Sequence, residues 1–298
     1  MDKKGDRTVG EKYREYDAKS LEKLHKVQKN MLEDFIHVCQ KHGFPYFVIY
    51  GTAIGAVRHE GFIPWDDDID VAMLREDYNR FCGVFQEELG ERYSLLTPEI
   101  DKRYACTVTH IQKKGTVFVT EGSKHLKCEQ AIFMDIFPLD YVAKEEKKRS
   151  RQARKAIFWG RLLFLSGTGK PSIPTKGILG TLYKGICQGI HLILAGLRIS
   201  PRWIYRQFVK ASTRYNTPEE RSEYVTSFEY AGCLKDMIRK EDIFPLQTGS
   251  FEGIEVCLPK CNHEFLTKIY GEYMQIPPEE SRVNHMPLQL DFGEEERI

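Results

Sequence analysis

Net charge is almost absent from this sequence, with 44 Lys and Arg against 43 Asp and Glu over 298 residues. That balance gives no support to a generic polyanion-binding role, and nucleic acid is not an expected partner. Internal repeats are also missing, as are low-complexity tracts apart from the charged end GEEERI, so a repeat architecture is excluded. The eight cysteines (39, 82, 106, 128, 187, 233, 257, 261) are scattered and form no disulfide framework. The opening MDKKGDRTVG carries no signal-peptide pattern, so reduced thiols and a cytoplasmic setting are expected. Cys257-x3-Cys261-x-His263 has half the look of a zinc site, but no second Cys/His pair has matching spacing. SGTGK (166–170) likewise fails as the tail of a P-loop, because the leading glycine is missing and Pro171 stands at the Ser/Thr position.

A long unbroken hydrophobic run is lacking too. ILGTLYKGICQGIHLILAGLRI (178–199) is close to membrane-spanning length, but Lys184, Gln188, His191 and four glycines interrupt it. A span needs about 20 predominantly apolar residues, and ionisable groups at its centre are costly. The segment is therefore read as either a buried helix pair or an interfacial amphipathic region. The basic run KEEKKRSRQARK (144–155) and Trp159 favour the interfacial reading.

Several elements are legible. Residues 1–18 are polar and read as a frayed arm. From Ser20 the apolar residues Leu21, Leu24, Val27, Met31, Phe35 and Val38 step by three or four, which predicts a helix capped at Gly43. YFVIY (46–50) reads as a core strand, and Gly51-Thr52 then opens a helix of small residues. A helix start can hold an anion, yet a tight strand-to-helix turn explains the glycine equally well. DIDVAM reads as a second strand and 76–90 as a helix. Tyr104–Ile111, Thr116–Thr120 and Ala131–Phe137 read as further strands of a mixed α/β unit.

The chemistry concentrates in PWDDDIDVAM (64–73), where four aspartates fall within five positions beside apolar residues. On a strand, alternate residues share a face, so Asp68 and Asp70 project together while Ile69 and Val71 pack inward. Two such carboxylates repel unless a cation joins them, and Mg2+ binds through one or two carboxylates plus substrate phosphates. Asp66 and Asp67 are expected to support the turn or cap N–H groups. Asp135, the one acid in AIFMDIF, is the expected third member on an adjacent strand. Three carboxylates beside a helix start suit phosphoryl or nucleotidyl transfer. The plain alternative is a calcium-stabilised or solvated acidic turn.

GTAIGAVRHEGFIPWDDDIDVAM (51–73), FMDIFPLD (133–140) and YGEYMQIPP (270–278) together resemble the LicD family, over about residues 50–280. That family includes bacterial phosphocholine transferases and is related to fukutin and fukutin-related protein. The resemblance implies a nucleotidyltransferase-like α/β core, with its Gly-Ser/Thr turn at Gly51-Thr52, its Asp-x-Asp pair at Asp68 and Asp70, and its third Asp at Asp135. It implies Mg2+ (or Mn2+), a CDP-linked donor such as CDP-choline, and a glycan acceptor, with CMP released. The zinc-binding insert of fukutin-related protein has no counterpart here.

On this reading Asp68 and Asp70 hold the metal, and Asp135 completes the site or serves as general base. Gly51 and Thr52 hold a phosphate, and Arg58 or His59 steadies CMP; a surface role for the last two is the alternative. A choline head group calls for an aromatic box, with Trp65, Tyr104, Phe137, Tyr270 and Tyr273 as candidate walls, although any one of them can equally be core. Arg282 and His285 are candidates to close the site. Other CDP donors (ribitol, glycerol or ethanolamine phosphate) and a non-catalytic membrane scaffold are the competing functions. The expected organisation is an arm (1–19), a catalytic core (20–141), a basic and apolar helical insertion (142–215) and a C-terminal region completing the site (216–298). With a lipid-linked acceptor, the insertion would bring the enzyme to the inner face of the cytoplasmic membrane.

Overall fold

The long amphipathic helix begins where the chain supplies a cap: Asp17 accepts from the backbone N–H of Ser20, and α1 runs Ala18–His42 to a left-handed Gly43. A computed structural model describes residues 14–171 and 177–293. After α1 come β1 (Phe47–Val48), α2 (Tyr50–Arg58), β2 (Asp70–Leu74), α3 (Arg75–Glu88), β3 (Tyr93–Leu96), β4 (Thr109–Lys113), β5 (Val117–Val119) and β6 (Phe133–Ala143). Three helices follow, α4 (Glu146–Gly167), α5 (Gly177–Gly196) and α6 (Pro201–Ser212). The chain closes with β7 (Arg221–Thr226), β8 (Ile238–Arg239), α7 (Lys240–Ile243), β9 (Gln247–Phe251), β10 (Ile254–Leu258), α8 (Asn262–Tyr270) and β11 (Gln289–Asp291).

This is a mixed α/β fold, as expected. The main sheet has the order β1-β2-β6-β4-β3, with β7 added beside β6 and β8 beside β7. β2 and β6 run parallel, and β1, β4 and β3 join antiparallel to their neighbours. β9–β10 and β5–β11 form separate two-stranded ladders. One apolar cluster packs α1 and the main sheet, and it draws Phe251, Val256, Phe265 and Tyr273 from the C-terminal region. A second joins α4 and α6 through Ala156, Leu163, Ile204 and Phe208.

Several boundaries differ from the expectation. The arm, read as frayed through residue 18, is tied down where it is described: Tyr16 donates to Asp67 at 2.6 Å and Arg14 N–H to Asn284 at 3.3 Å; residues 1–13 lie outside the described chain. YFVIY contributes only two strand residues, because Tyr50 already turns into α2 with a positive φ of 55°. β2 begins at Asp70, which leaves Asp68 in the preceding turn. The strand expected over 104–111 is displaced to Thr109–Lys113, and β3 was not expected at all. β6 is longer than AIFMDIF because its second half leaves one core for the other. Asp140 and Tyr141 pair with Thr226 and Val225 on β7, and the register shifts after Tyr141.

Candidate active site

Strand register builds the centre of the site. Val71, Ala72 and Met73 are fully buried and lock β2 into the sheet, which fixes the direction of Asp70. Asp70 then lies opposite Asp135 on the parallel strand β6, and His110 on β4 lies opposite Asp135 from the other side. Register partners share a face, so Asp70, Asp135 and His110 form a row across three strands. His110 Nδ1 is hydrogen-bonded to Asp135 Oδ1. Sequence reasoning did not single out His110. Its only local signal is one imidazole in an otherwise apolar and polar strand, and its role depends on pairing.

The turn before β2 explains the glycines of GTAIGAVRHEG. A Cβ on Gly51 would lie 2.6 Å from Asp66 Oδ2, so this glycine makes room for a carboxyl of the acidic run. Thr52, expected to hold phosphate, is buried, and its Oγ1 accepts from the Asp70 N–H at 2.8 Å. It thereby pins the start of β2 against α2. A Cβ on Gly55 would come within 2.3 Å of the Gly61 carbonyl oxygen, a backbone atom with little freedom to move. Gly55→Ala is therefore expected to destabilise the fold by about 3 kcal/mol, the upper range for overpacking. Chemical denaturation of the variant checks this.

Asp67, expected to support the turn or cap N–H groups, is a fully buried anchor. It accepts from Tyr16 Oη, from the His285 N–H (2.8 and 2.9 Å to its two oxygens) and sits 3.2 Å from His285 Nδ1. The Asp67 carbonyl accepts from Gln28 at 2.8 Å. His285 also lies 3.3 Å from Asp68, so the C-terminal segment does bring this residue to the acidic run. Ligand atoms of Asp67, Asp68 and His285 lie within 4.8 Å of one another, a set compatible with a divalent metal.

The electrostatics show an excess of negative charge. Burial pushes the carboxyls of Asp66 and Asp70 well above their usual range, and the neighbouring aspartates push them further. Burial also raises Asp68, to about 6, although His285 pulls the other way. Burial opposes a charged His285, yet Asp68, Asp67 and Asp66 outweigh it and hold the imidazole well above its ordinary pKa. One imidazolium does not balance so many carboxylates. Oxygen donors crowded in this way fit a hard divalent cation.

The outer candidates divide. Arg58 donates from Nε to His59 Nε2 at 2.9 Å and from its guanidinium to the Tyr273 carbonyl. Burial first, then Arg58, pushes His59 below its usual pKa. Arg282 lies 4.3 Å from the ring centre of Trp65 and Arg58 lies 6.0 Å from it, so this indole already faces cations. Tyr273 is buried with its hydroxyl 2.9 Å from His263 Nδ1, which makes it core rather than a pocket wall. Tyr104 is buried too and donates to the Val108 carbonyl at 2.7 Å. Tyr270 is 39 % exposed at the end of α8. Cys261 approaches Asp242, at 3.7 Å.

One of the candidate walls, itself buried, borders the acidic row. Phe137, two positions after Asp135 on the same strand, packs edge-on to Tyr50 at 5.3 Å, and Tyr50 packs edge-on to Tyr230 at 6.0 Å. Next to Tyr230 in sequence, Glu229 is half-buried with its Oε2 inaccessible and unpaired, and desolvation, Asp140 and Asp135 raise its carboxyl well above the usual range against the pull of Arg75.

Residues 43–159 match the family described as LicD/FKTN/FKRP, nucleotidyltransferase domain. The chain is 31 % identical over 265 residues to the lipopolysaccharide cholinephosphotransferase LicD of Haemophilus influenzae, covering 86 % of this chain and 92 % of that protein. A shorter match, 36 % identical over 64 residues, joins it to an uncharacterized protein of Rickettsia typhi, with 21 % of each chain covered. The acidic row across β2 and β6 lies within the matched domain, and the long relative extends the likeness over most of the chain: this protein is a transferase of the LicD family.

Proposed function

We propose that the chain transfers phosphocholine from CDP-choline to a sugar hydroxyl of a cell-surface glycan, with release of CMP. The observation that carries this reading is the register of Asp70 with Asp135, beside Asp68, in a cluster whose carboxyls repel one another. The long relative is named for phosphocholine transfer to lipopolysaccharide, which makes lipopolysaccharide, teichoic acid or a similar and lipid-linked glycan the acceptor class.

Asp68, Asp70 and Asp135 would hold Mg2+, or Mn2+ with the same oxygen donors. The ion supplies neutralisation of the donor's phosphate oxygens. The chain's own residues supply the rest. The acceptor oxygen attacks the phosphorus that carries choline, a P–O bond forms, and the bond to the CMP oxygen breaks. The hydroxyl proton passes to a carboxylate. Asp135 would take that proton or help hold the ion, and its hydrogen bond to His110 supports either role. His285 contributes positive charge at Asp68 and ties the C-terminal segment to the site. The start of α2 at Gly51 would hold a donor phosphate through its backbone N–H groups, and Arg58 with His59 would steady the departing CMP.

Support for choline over a polyol comes from the long relative, which is named a cholinephosphotransferase, whereas the rings of Phe137 and Tyr50 are themselves core. The setting is the cytoplasm, a reading that rests on the eight unpaired cysteines. CMP release from a panel of CDP-choline, CDP-ethanolamine, CDP-glycerol and CDP-ribitol tests the reading, with Mg2+ and with chelator. CDP-choline is expected to be the preferred donor, with turnover abolished by chelation and restored by Mg2+. Preference for a polyol conjugate would replace the donor; full turnover in chelator would overturn the metal-dependent mechanism.

A further inference from the structure

From Lys147 to Pro218 the sequence carries fifteen Lys and Arg and no Asp or Glu. The rest of the chain carries 29 Lys and Arg against 43 Asp and Glu, so near-neutral overall charge conceals two oppositely charged parts. The cationic part coincides with α4, α5 and α6. Some of its charge is spent internally: Arg206 pairs with Glu99 at 2.8 Å and Lys148 with Glu145 at 2.6 Å. Along α4, however, Arg151, Arg154, Lys155 and Arg161 are exposed at three- and four-residue spacing, with Phe158 among them 57 % exposed. Among the described residues these four cations have no carboxylate partner.

Packed against the last turns of α4 stands α5, a helix long and apolar enough to cross a membrane by length and composition. Only Gly180 and Leu194 of its 20 residues are buried. Its C-terminal half is held by the protein: Ile190 and Leu194 join the α4–α6 cluster, and His191 Nδ1–H donates to the Leu165 carbonyl at 2.8 Å. Its N-terminal half stands clear, with Ile178 (89 % exposed), Leu182 and Ile186 on the surface. An apolar face of this kind marks an interaction site.

Three occupants would cover it. A second copy would bring the same cations together, and like charges oppose that association. A span would need roughly 30 Å of hydrocarbon crossed, whereas the unheld half of α5 supplies about half of that at 1.5 Å per residue. An anionic surface matches both features. We propose that the exposed face of α4 and the N-terminal half of α5 dock on an anionic lipid bilayer, the cations on lipid phosphates and Ile178, Leu182 and Ile186 at the headgroup–acyl boundary. This stands apart from the chemistry at the aspartates, and its readout needs no turnover.

The full chain is sedimented with phosphatidylcholine vesicles, with and without about 30 % phosphatidylglycerol, at about 0.15 M salt. Partition onto the anionic vesicles alone, released by about 1 M salt, is expected. Each cation near such a surface contributes roughly fivefold, so Arg151→Gln/Arg154→Gln/Lys155→Gln is expected to lower partition by about a hundredfold. Leu182→Asp/Ile186→Asp is expected to abolish it. Both sets are exposed, so unchanged melting curves are the control for folding. Equal partition onto neutral vesicles, or wild-type binding by the triple variant, would overturn the proposal. So would retention through an alkaline carbonate wash, which indicates a span, or a concentration-dependent dimer dissolved by Ile186→Asp with no vesicle binding.

Discussion

Asp70→Asn is expected to reduce CMP release from CDP-choline by at least about 10³-fold while leaving the melting temperature equal or higher. The two halves of that result have one cause. Asp70 is buried in a row with Asp135 and within the field of Asp68 and Asp66, and each of these pushes its carboxyl further above the usual range. Replacing the carboxylate by a carboxamide removes a repelling neighbour from the other acids. It also removes a donor that a hard cation requires. A fold-critical residue would lose activity and stability together, so a thermal melt beside the turnover assay separates the two roles. Unimpaired turnover in the Asn variant would remove Asp70 from the machinery.

Asp140→Asn is expected to do the reverse, destabilising the fold by about 3–5 kcal/mol. Asp140 is the second acid of FMDIFPLD, and it shares the strand with Asp135, yet its partner is structural. Arg75 reaches it with two hydrogen bonds, 2.9 Å from Nε and 2.6 Å from a terminal nitrogen, and Asn216 adds a third at 2.8 Å. Both side chains of the pair are nearly inaccessible, 9 % and 1 % exposed. Burial opposes the Arg75 charge, and Asp140 more than compensates. Without Asp140 the guanidinium is left uncompensated in the core. At roughly 2–4 °C per kcal/mol for a chain of this size, the midpoint should fall by about 10 °C. Glu229 lies in the field of the same arginine, so Asp140→Asn/Glu229→Gln should lose more than the single variant.

Much of this site was legible because its signals are local. Apolar residues flanking Asp70 and Asp135 announce buried strands, and the acidic run before one and the single acid of AIFMDIF in the other announce a cleft. The end of the long first helix was readable from Gly43 for the same reason. What escaped depends on pairing. His110 acquires meaning only from its register with Asp135. Asp67 looks like its neighbours until Tyr16 and His285 arrive, one from each end of the chain. Asp68 was placed on β2 by alternation, but Thr52 accepts from the Asp70 N–H and starts the strand there. The Gly51-Thr52 turn illustrates the same limit: it reads as a phosphate turn, whereas the glycine makes room for Asp66 and the threonine accepts from the Asp70 N–H.

The Asp67–His285 contact joins positions 218 residues apart. During synthesis the acidic run therefore remains without this imidazole until 218 further residues have been made. Closure over such a separation is entropically slow, and intermediates that have gathered β2 and β6 without the C-terminal segment will hold carboxylates in excess. Millimolar divalent cation in a refolding buffer should then speed recovery, because it supplies the missing positive charge before residue 285 is in position.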